Sequence, residues 1–206
     1  MSAEDVKNAF LKAEAAIGPM PKQLVDGYVL KMPGNVSLQK GLWKNIPVMA
    51  GSVRGDEDLM LGEKPQLKGD ITAEEAFIAG DTLIALKQSE EGRVPAYVYY
   101  FDPYIPGHDV YGFVGDGVPY HSAELWYVFG TLDRCWRDFD GRHYDLSNTM
   151  IKYWTNFAKC GDPNGEGLPV WSAVTQNNVT RMLLTENTVE SQTIDNVQAV
   201  KKAFWE

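Results

Sequence analysis

Cysteine is scarce in this chain: two among 206 residues, Cys135 and Cys160, far apart and outside any metal-ligand spacing. That scarcity excludes a disulfide-stapled scaffold and a thiolate-rich metal centre, and two reduced thiols are the expectation. Cations are outnumbered, with 19 Lys and Arg against 28 Asp and Glu and a formal charge of −9. A nucleic-acid partner needs a basic face to neutralise phosphates, and only Lys201 and Lys202 even stand side by side. Long apolar runs are missing too, so no segment has the length of a membrane-spanning helix. The opening stretch MSAEDVKNAFLKAEAAIG is acidic and helically spaced, where a secretory leader is basic and then apolar. These absences predict a cytoplasmic chain with neither nucleic acid nor membrane as a partner.

What the sequence does hold is material for a core. Hydrophobic residues make up 44% and aromatic residues 12%, with six Trp and ten Tyr. At this length that suffices for one sizeable domain. With no internal repeat, low-complexity tract or linker, residues 1–206 read as a single unit.

Periodicity supplies the elements. Val6, Phe10, Leu11 and Ala13 recur at helical spacing over 3–17, with Ser2 as N-cap and Gly18-Pro19 as the stop. QLVDGYVLKMPG reads as a short extended piece. IPVMAGSV, residues 46–53, is a short apolar run bounded by turn formers and predicts a buried strand. ITAEEAFIAGDTLIALKQSEEG predicts a helix opened by a Thr72–Glu75 capping box. VPAYVYYFDP, cut off by Pro103, predicts a second strand. Strand, helix and strand in that order are the parts of a parallel βαβ unit, so the fold class is α/β. Further on, LSNTMIKYWTNFAKCGDPNGEG predicts a helix capped by Ser147 and ended by Gly161-Asp162-Pro163. RMLLT predicts a strand, and DNVQAVKKAFWE a short closing helix.

One stretch calls for a chemical explanation. VPYHSAELWYVFG, residues 118–130, begins an apolar run with His121 and places Glu124 three positions later. A lone histidine is by default a half-buried structural one, yet its titration near neutrality also suits a general base. In open parallel sheets the working groups sit beyond the carboxyl ends of the strands. That rule selects Asp56-Glu57-Asp58 after the first strand and the loop carrying His121 after the second. An acid and an imidazole from successive strand ends are the orienting pair of a catalytic triad. The other histidines, His108 by Asp109 and His143 near Asp145, lack a third ligand and read as solvated surface side chains, so no metal is expected. GFVGDG, residues 112–117, reads as a flexible turn rather than a phosphate cradle. Of Trp126, Tyr127 and Phe129, two are expected in the core.

VPYHSAELWYVFG resembles the histidine-bearing segment of type-B carboxylesterases, the α/β-hydrolase family that includes cholinesterases. YWTNFAKCGDPNGEGLPVW (153–171), VDGYVL (25–30) and NIPVMAGSVRGDEDLM (45–60) resemble other segments of the family, in the family's order. The resemblance implies the C-terminal part of an α/β-hydrolase fold, a partial and mostly parallel sheet with flanking helices. It implies hydrolysis of a small-molecule carboxylic ester by a Ser-His-Asp/Glu mechanism, with no cofactor. His121 matches the family's base. Laid without a gap from Gly51, GSVRGDEDLM puts the acid on Asp56; a shift by one residue puts it on Glu57. Glu124 matches a family glutamate with a supporting, hydrogen-bonding role.

The departures carry equal weight. The family's nucleophile sits in a G-x-S-x-G elbow, and these 206 residues contain none. Neither Ser52 nor Ser122 has the elbow pattern, and the glycine-rich oxyanion segment is missing. Because the triad runs Ser, acid, His in this fold, the expectation is a C-terminal portion that supplies His and acid and is inactive alone. The acid and the base are also closer in sequence than in cholinesterase-like relatives, which leaves room for a smaller lid. An unpaired sheet edge is expected to drive self-association. Two other readings stand beside this one: a non-catalytic interaction module using the Arg54-Gly55-Asp56 tripeptide, and one half of a complementing two-chain esterase.

Overall fold

The computed structural model describes residues 2–17, 25–56, 73–108, 115–195, 197 and 201. Where the sequence reads as one unit, the chain packs as two compact units, Met1–Trp43 and Lys44–Glu206.

In the first unit, helix α1 spans Ala3–Ile17. Ser2 caps it reciprocally: its Oγ accepts from the Asp5 amide at 3.1 Å, and the Asp5 carboxylate accepts from the Ser2 amide at 2.8 Å. Helix α2 spans Gly34–Gln39. Between them, VDGYVL is a tight turn instead of the extended piece its apolar residues suggest. The Asp26 carboxylate accepts from the amides of Tyr28, Val29 and Leu30 at 2.9, 2.8 and 3.0 Å, while Gly27 takes a φ of 75°. A short acidic side chain has outcompeted the ladder for local amides.

The second unit is built on a four-stranded sheet in the order β1-β2-β3-β4. The strands are β1 (Val48–Val53), β2 (Ala96–Phe101), β3 (Thr180–Leu184) and β4 (Val189–Thr193). β1 and β2 run parallel from Val48↔Ala96 to Val53↔Phe101, and β2 and β3 run parallel from Tyr99↔Met182 to Phe101↔Leu184. β4 turns back antiparallel onto β3. Helix α3 (Ala73–Glu90) makes the first crossover; α4 (Glu124–Val128) and α5 (Gly141–Cys160) lie in the second. The parallel βαβ unit read from the sequence is therefore present.

Both faces of β2 are buried, which is why it reads as a nearly unbroken apolar run. Ala96 and Val98 pack with Ala85 and Leu86 of α3. Tyr97 and Phe101, on the opposite pleat, pack with Tyr127, Met150, Tyr153 and Trp171. The Trp171 indole is 1% exposed and donates to the Val98 carbonyl at 3.1 Å. Tyr97, Tyr99 and Tyr153 meet it edge-on, with centroids 6.2, 6.4 and 5.1 Å away, the arrangement that ring quadrupoles favour.

Helix α5 begins earlier than Ser147. Asp140 is the N-cap, accepting from the amides of Arg142 and His143. Ser147 is 4% exposed within the helix, and its hydroxyl donates to the Tyr127 carbonyl at 2.7 Å, tying α5 to α4. A serine inside a helix is tolerated when its hydroxyl finds a carbonyl elsewhere. The helix ends as read, at Gly161 with φ 76°. β4 was not expected, since VESQT is polar and its turn, Thr185–Thr188, is closed by the Thr185 hydroxyl instead of Gly or Pro. The Thr72 capping box and most of the closing helix lie outside the described residues. Among the described residues no helix is long and apolar enough to cross a membrane.

Candidate active site

The end of β1 is shaped by a glycine. A Cβ at Gly51 would stand 2.4 Å from both the Tyr99 ring and the Tyr99 carbonyl, so only glycine lets β1 lie this close to β2. Beyond it the chain turns through Arg54 and Gly55 to Asp56. The Arg54 amide donates to the Phe101 carbonyl at 3.1 Å, extending the ladder past the last strand residue. The Val53 amide donates to Asp56 Oδ2 at 2.8 Å, which aims the carboxylate back over the strand end. Asp56 is 6% exposed.

The loop after β2 returns to the same place. Ile105 pairs with Gly117, folding the loop on itself. The Gly55 amide then donates to the Pro119 carbonyl at 3.0 Å, joining the acid's turn to the histidine's loop. His121 Nδ1 stands 2.6 Å from Asp56 Oδ1. The imidazole keeps 43% of its side chain exposed while the carboxylate keeps 8%. With Nδ1 donating to a buried acid, Nε2 is the nitrogen left for proton exchange. Ser122 follows at φ 71°, the one positive-φ residue other than glycine among the described residues. That turn ends the loop, and α4 starts at Glu124.

Other acidic groups crowd behind the pair. Asp81 of α3 accepts from the Ser52 hydroxyl, and burial, reinforced by the charge of Asp56, pushes its pKa up to about 6. Burial also raises Glu124, with Asp56 adding to the effect and His121 opposing it. Glu124 Oε2 is buried without a hydrogen-bond partner among the described residues. The Tyr99 hydroxyl is driven upward by burial and by Glu124, Asp81 and Asp56.

The fold thus brings together His121 and Asp56, 65 positions apart, with Glu124 beside them. Glu57, the alternative acid, lies outside the described residues. Sequence reasoning missed Asp81 and Ser52. The available signal was a carboxylate at Asp81 sharing an i, i+4 stripe with the apolar Phe77 and Ala85. His143 corrects an expectation: it is 3% exposed, not solvated, and pairs through Nδ1 with the Tyr127 hydroxyl at 2.9 Å. His108 is an exposed side chain 2.8 Å from Asp116; Asp109 lies outside the described residues. Tyr127 is fully buried, Trp126 packs partly buried against the core, and Phe129 is exposed. Among the described residues no three His, Cys, Asp or Glu side chains converge as metal donors.

Comparison with known proteins points the same way. A model of the carboxylesterase family matches residues 67–205. Liver carboxylesterase of Sus scrofa is 29% identical over 180 residues, covering 80% of this chain and 29% of that protein. Carboxylesterase 4A of Bos taurus is 36% identical over 107 residues, covering 50% of this chain and 18% of that protein. The backbone is similar to that of a thermophilic PNB esterase, with a TM-score of 0.69 at 20% identity over 98% of this chain and 48% of that one. It is likewise similar to a Geobacillus stearothermophilus carboxylesterase, with a TM-score of 0.68 at 24% identity over 100% of this chain and 48% of that one. At such identities the structural likeness speaks for the α/β-hydrolase fold alone. The chain spans about half the length of these solved structures and less than a third of the curated relatives. The matched interval runs through α3, β2 and the loop bearing His121 to the last strands, and on that evidence the chain belongs to the carboxylesterase family.

Proposed function

We propose that this chain carries the base and the acid of a serine ester hydrolase and that the nucleophile comes from outside these 206 residues. The observation that carries the reading is the 2.6 Å contact between His121 and Asp56 at the ends of adjacent parallel strands. His121 Nε2 takes the proton of a serine hydroxyl as it attacks the ester carbonyl, then returns it to the leaving alcohol. Asp56 holds the imidazole in the Nδ1–H tautomer and stabilises its cation. Asp56 suits this role because its second oxygen is anchored on the Val53 amide. Glu124, half-buried beside the pair with its pKa raised, is assigned a structural role apart from proton transfer.

No G-x-S-x-G is present, and Ser52, which sits nearest the acid, is engaged with Asp81. Loss of the nucleophile costs a serine hydrolase on the order of a millionfold. The 206-residue chain alone is therefore expected to leave p-nitrophenyl butyrate intact. Joined to an upstream carboxylesterase segment carrying the elbow, it is expected to hydrolyse that ester, and His121→Ala to abolish the activity. Turnover by the chain alone that disappears in His121→Ala overturns the proposal.

The interaction-module reading of Arg54-Gly55-Asp56 has less support, because Asp56 is 6% exposed and both its oxygens are bonded. Self-association through β1 is a further part of the proposal. Among the described residues β1 has β2 as its one neighbour, which leaves an outer edge for a second copy. A monodisperse monomer in light scattering argues against it.

A further inference from the structure

We propose that Arg137, Tyr120 and Trp126 form a brace that sets the position of His121, so that they are positioning residues for the proposed base. The inference rests on the reading of His121 given above.

The segment from β2 to α4 is long and carries the imidazole near its end. A loop of that length loses much conformational freedom when it holds one side chain still. Two main-chain contacts fix its neck: the Ile105–Gly117 pairing and the Gly55–Pro119 bond. Neither acts on the far side of the turn that follows His121. Tyr120 does. Its hydroxyl accepts from Trp126 Nε1 at 2.8 Å, linking the residue before His121 to helix α4 after it. The turn with its positive-φ Ser122 is thereby closed from both ends.

Arg137 fastens this closure to the start of the loop. It lies between the short 3-10 turn Leu132–Arg134 and α5. Its Nη1 donates to the Pro106 carbonyl at 2.6 Å, and its Nη2 contacts the His108 carbonyl at 3.4 Å. The same guanidinium lies 5.2 Å from the Tyr120 ring centroid and 4.7 Å from that of Trp136. One planar group thus joins residues 106–108 to residue 120. Arginine suits the task, because its fork offers several donors while its face stacks on rings; a lysine ammonium is a single point. Gly107 fits the same arrangement. It takes φ 87°, and a Cβ there would press to 3.2 Å from the Trp136 ring and 3.4 Å from Arg137 Nη1. The carbonyls of Pro106 and His108 belong to no helix or named strand, so the guanidinium meets a main-chain need of this loop.

Proton NMR on the 206-residue chain tests the brace without any need for turnover. The His121 ring N–H donated to Asp56 gives a low-field line, assigned by its loss in His121→Gln. In Tyr120→Phe and in Arg137→Met that line is expected to disappear through exchange with water, while the ring resonance of His143 and the remaining backbone spectrum persist. A sharp, unmoved line in Tyr120→Phe overturns the brace. Should Arg137→Met fail to fold, Tyr120→Phe, which deletes one oxygen, decides alone. Asp56→Asn separates the two layers of the argument. If the line ignores Asp56→Asn, the acid–base pairing itself is wrong. If it responds to Asp56→Asn but ignores Tyr120→Phe and Arg137→Met, only the brace is wrong.

Discussion

His121 leaves 43% of its side chain in water and bonds a buried carboxylate at 2.6 Å, whereas His143 leaves 4% exposed and bonds a tyrosine hydroxyl at 2.9 Å. His143 sits in the first turn of α5 with the rings of Phe139 and Tyr127 against it, centroids 5.2 and 6.2 Å away. Its nearest charge, Asp140, is 3.9 Å from Nε2 and half in solvent. Burial drives its pKa below the ordinary 6.5, so it stays neutral and acts as a polar piece of core. Residue type therefore decides little. An imidazole becomes a candidate base when one nitrogen is held by a buried acid and the other is free to reach solvent, and a structural wedge when both are enclosed.

The sharpest way to break this contrast is to remove each ring in turn. In the enzyme completed with a serine-bearing segment, His121→Ala is expected to lower kcat on the order of a millionfold, and to cost about 1–3 kcal/mol of stability through the buried Asp56 carboxylate it leaves unpaired. His143→Ala is expected to cost stability and leave the rate intact. Urea unfolding should record a loss of about 2–4 kcal/mol from the cavity and the orphaned Tyr127 hydroxyl, with the pH profile of kcat unmoved. A rate collapse in folded His143→Ala would erase the distinction.

Titration sharpens the comparison further. The folded state holds His143 below 6.5, so the unfolded chain binds the proton more tightly, and stability is lost as pH falls below about 6.5. Asp81 behaves in the opposite sense. Its folded pKa of about 6 lies above the ordinary 3.8, so stability present at low pH is lost as pH rises from about 4 to 6. Asp81→Asn is expected to stabilise the protein by on the order of 2 kcal/mol above pH 6 and to change nothing below about pH 4. Thermal melts across that range would then fall only on the acid side. The smallest effect belongs to the hydroxyl that holds the core histidine: Tyr127→Phe is expected to cost about 1–2 kcal/mol in the same melts.

Much of the framework was legible in residue order. Gly and Pro punctuate β1 and β2, the apolar run of β2 matches a strand buried on both faces, and the helix between the two strands forces a parallel crossover. What escaped the sequence was set by contacts distant along the chain. The start of α5 lies at Asp140, because Ser147, a good cap by type, is spent on the Tyr127 carbonyl. β4 is polar and earns its place by pairing with β3 alone. At the site, the strand-end rule pointed to Asp56-Glu57-Asp58 and to the loop carrying His121, and the family resemblance narrowed the acid to Asp56 or Glu57; Asp81 was missed, since a carboxylate on a helix is solvated unless another element covers it. His143 was misjudged for the same reason: polarity reads as exposure until a tyrosine supplies the partner.

The bond from the Gly55 amide to the Pro119 carbonyl couples the turn bearing Asp56 to the loop bearing His121. A displacement of either segment is therefore passed on to the other. Under the proposed reading, drift of the whole pair relative to an incoming hydroxyl costs less than drift of its two members apart.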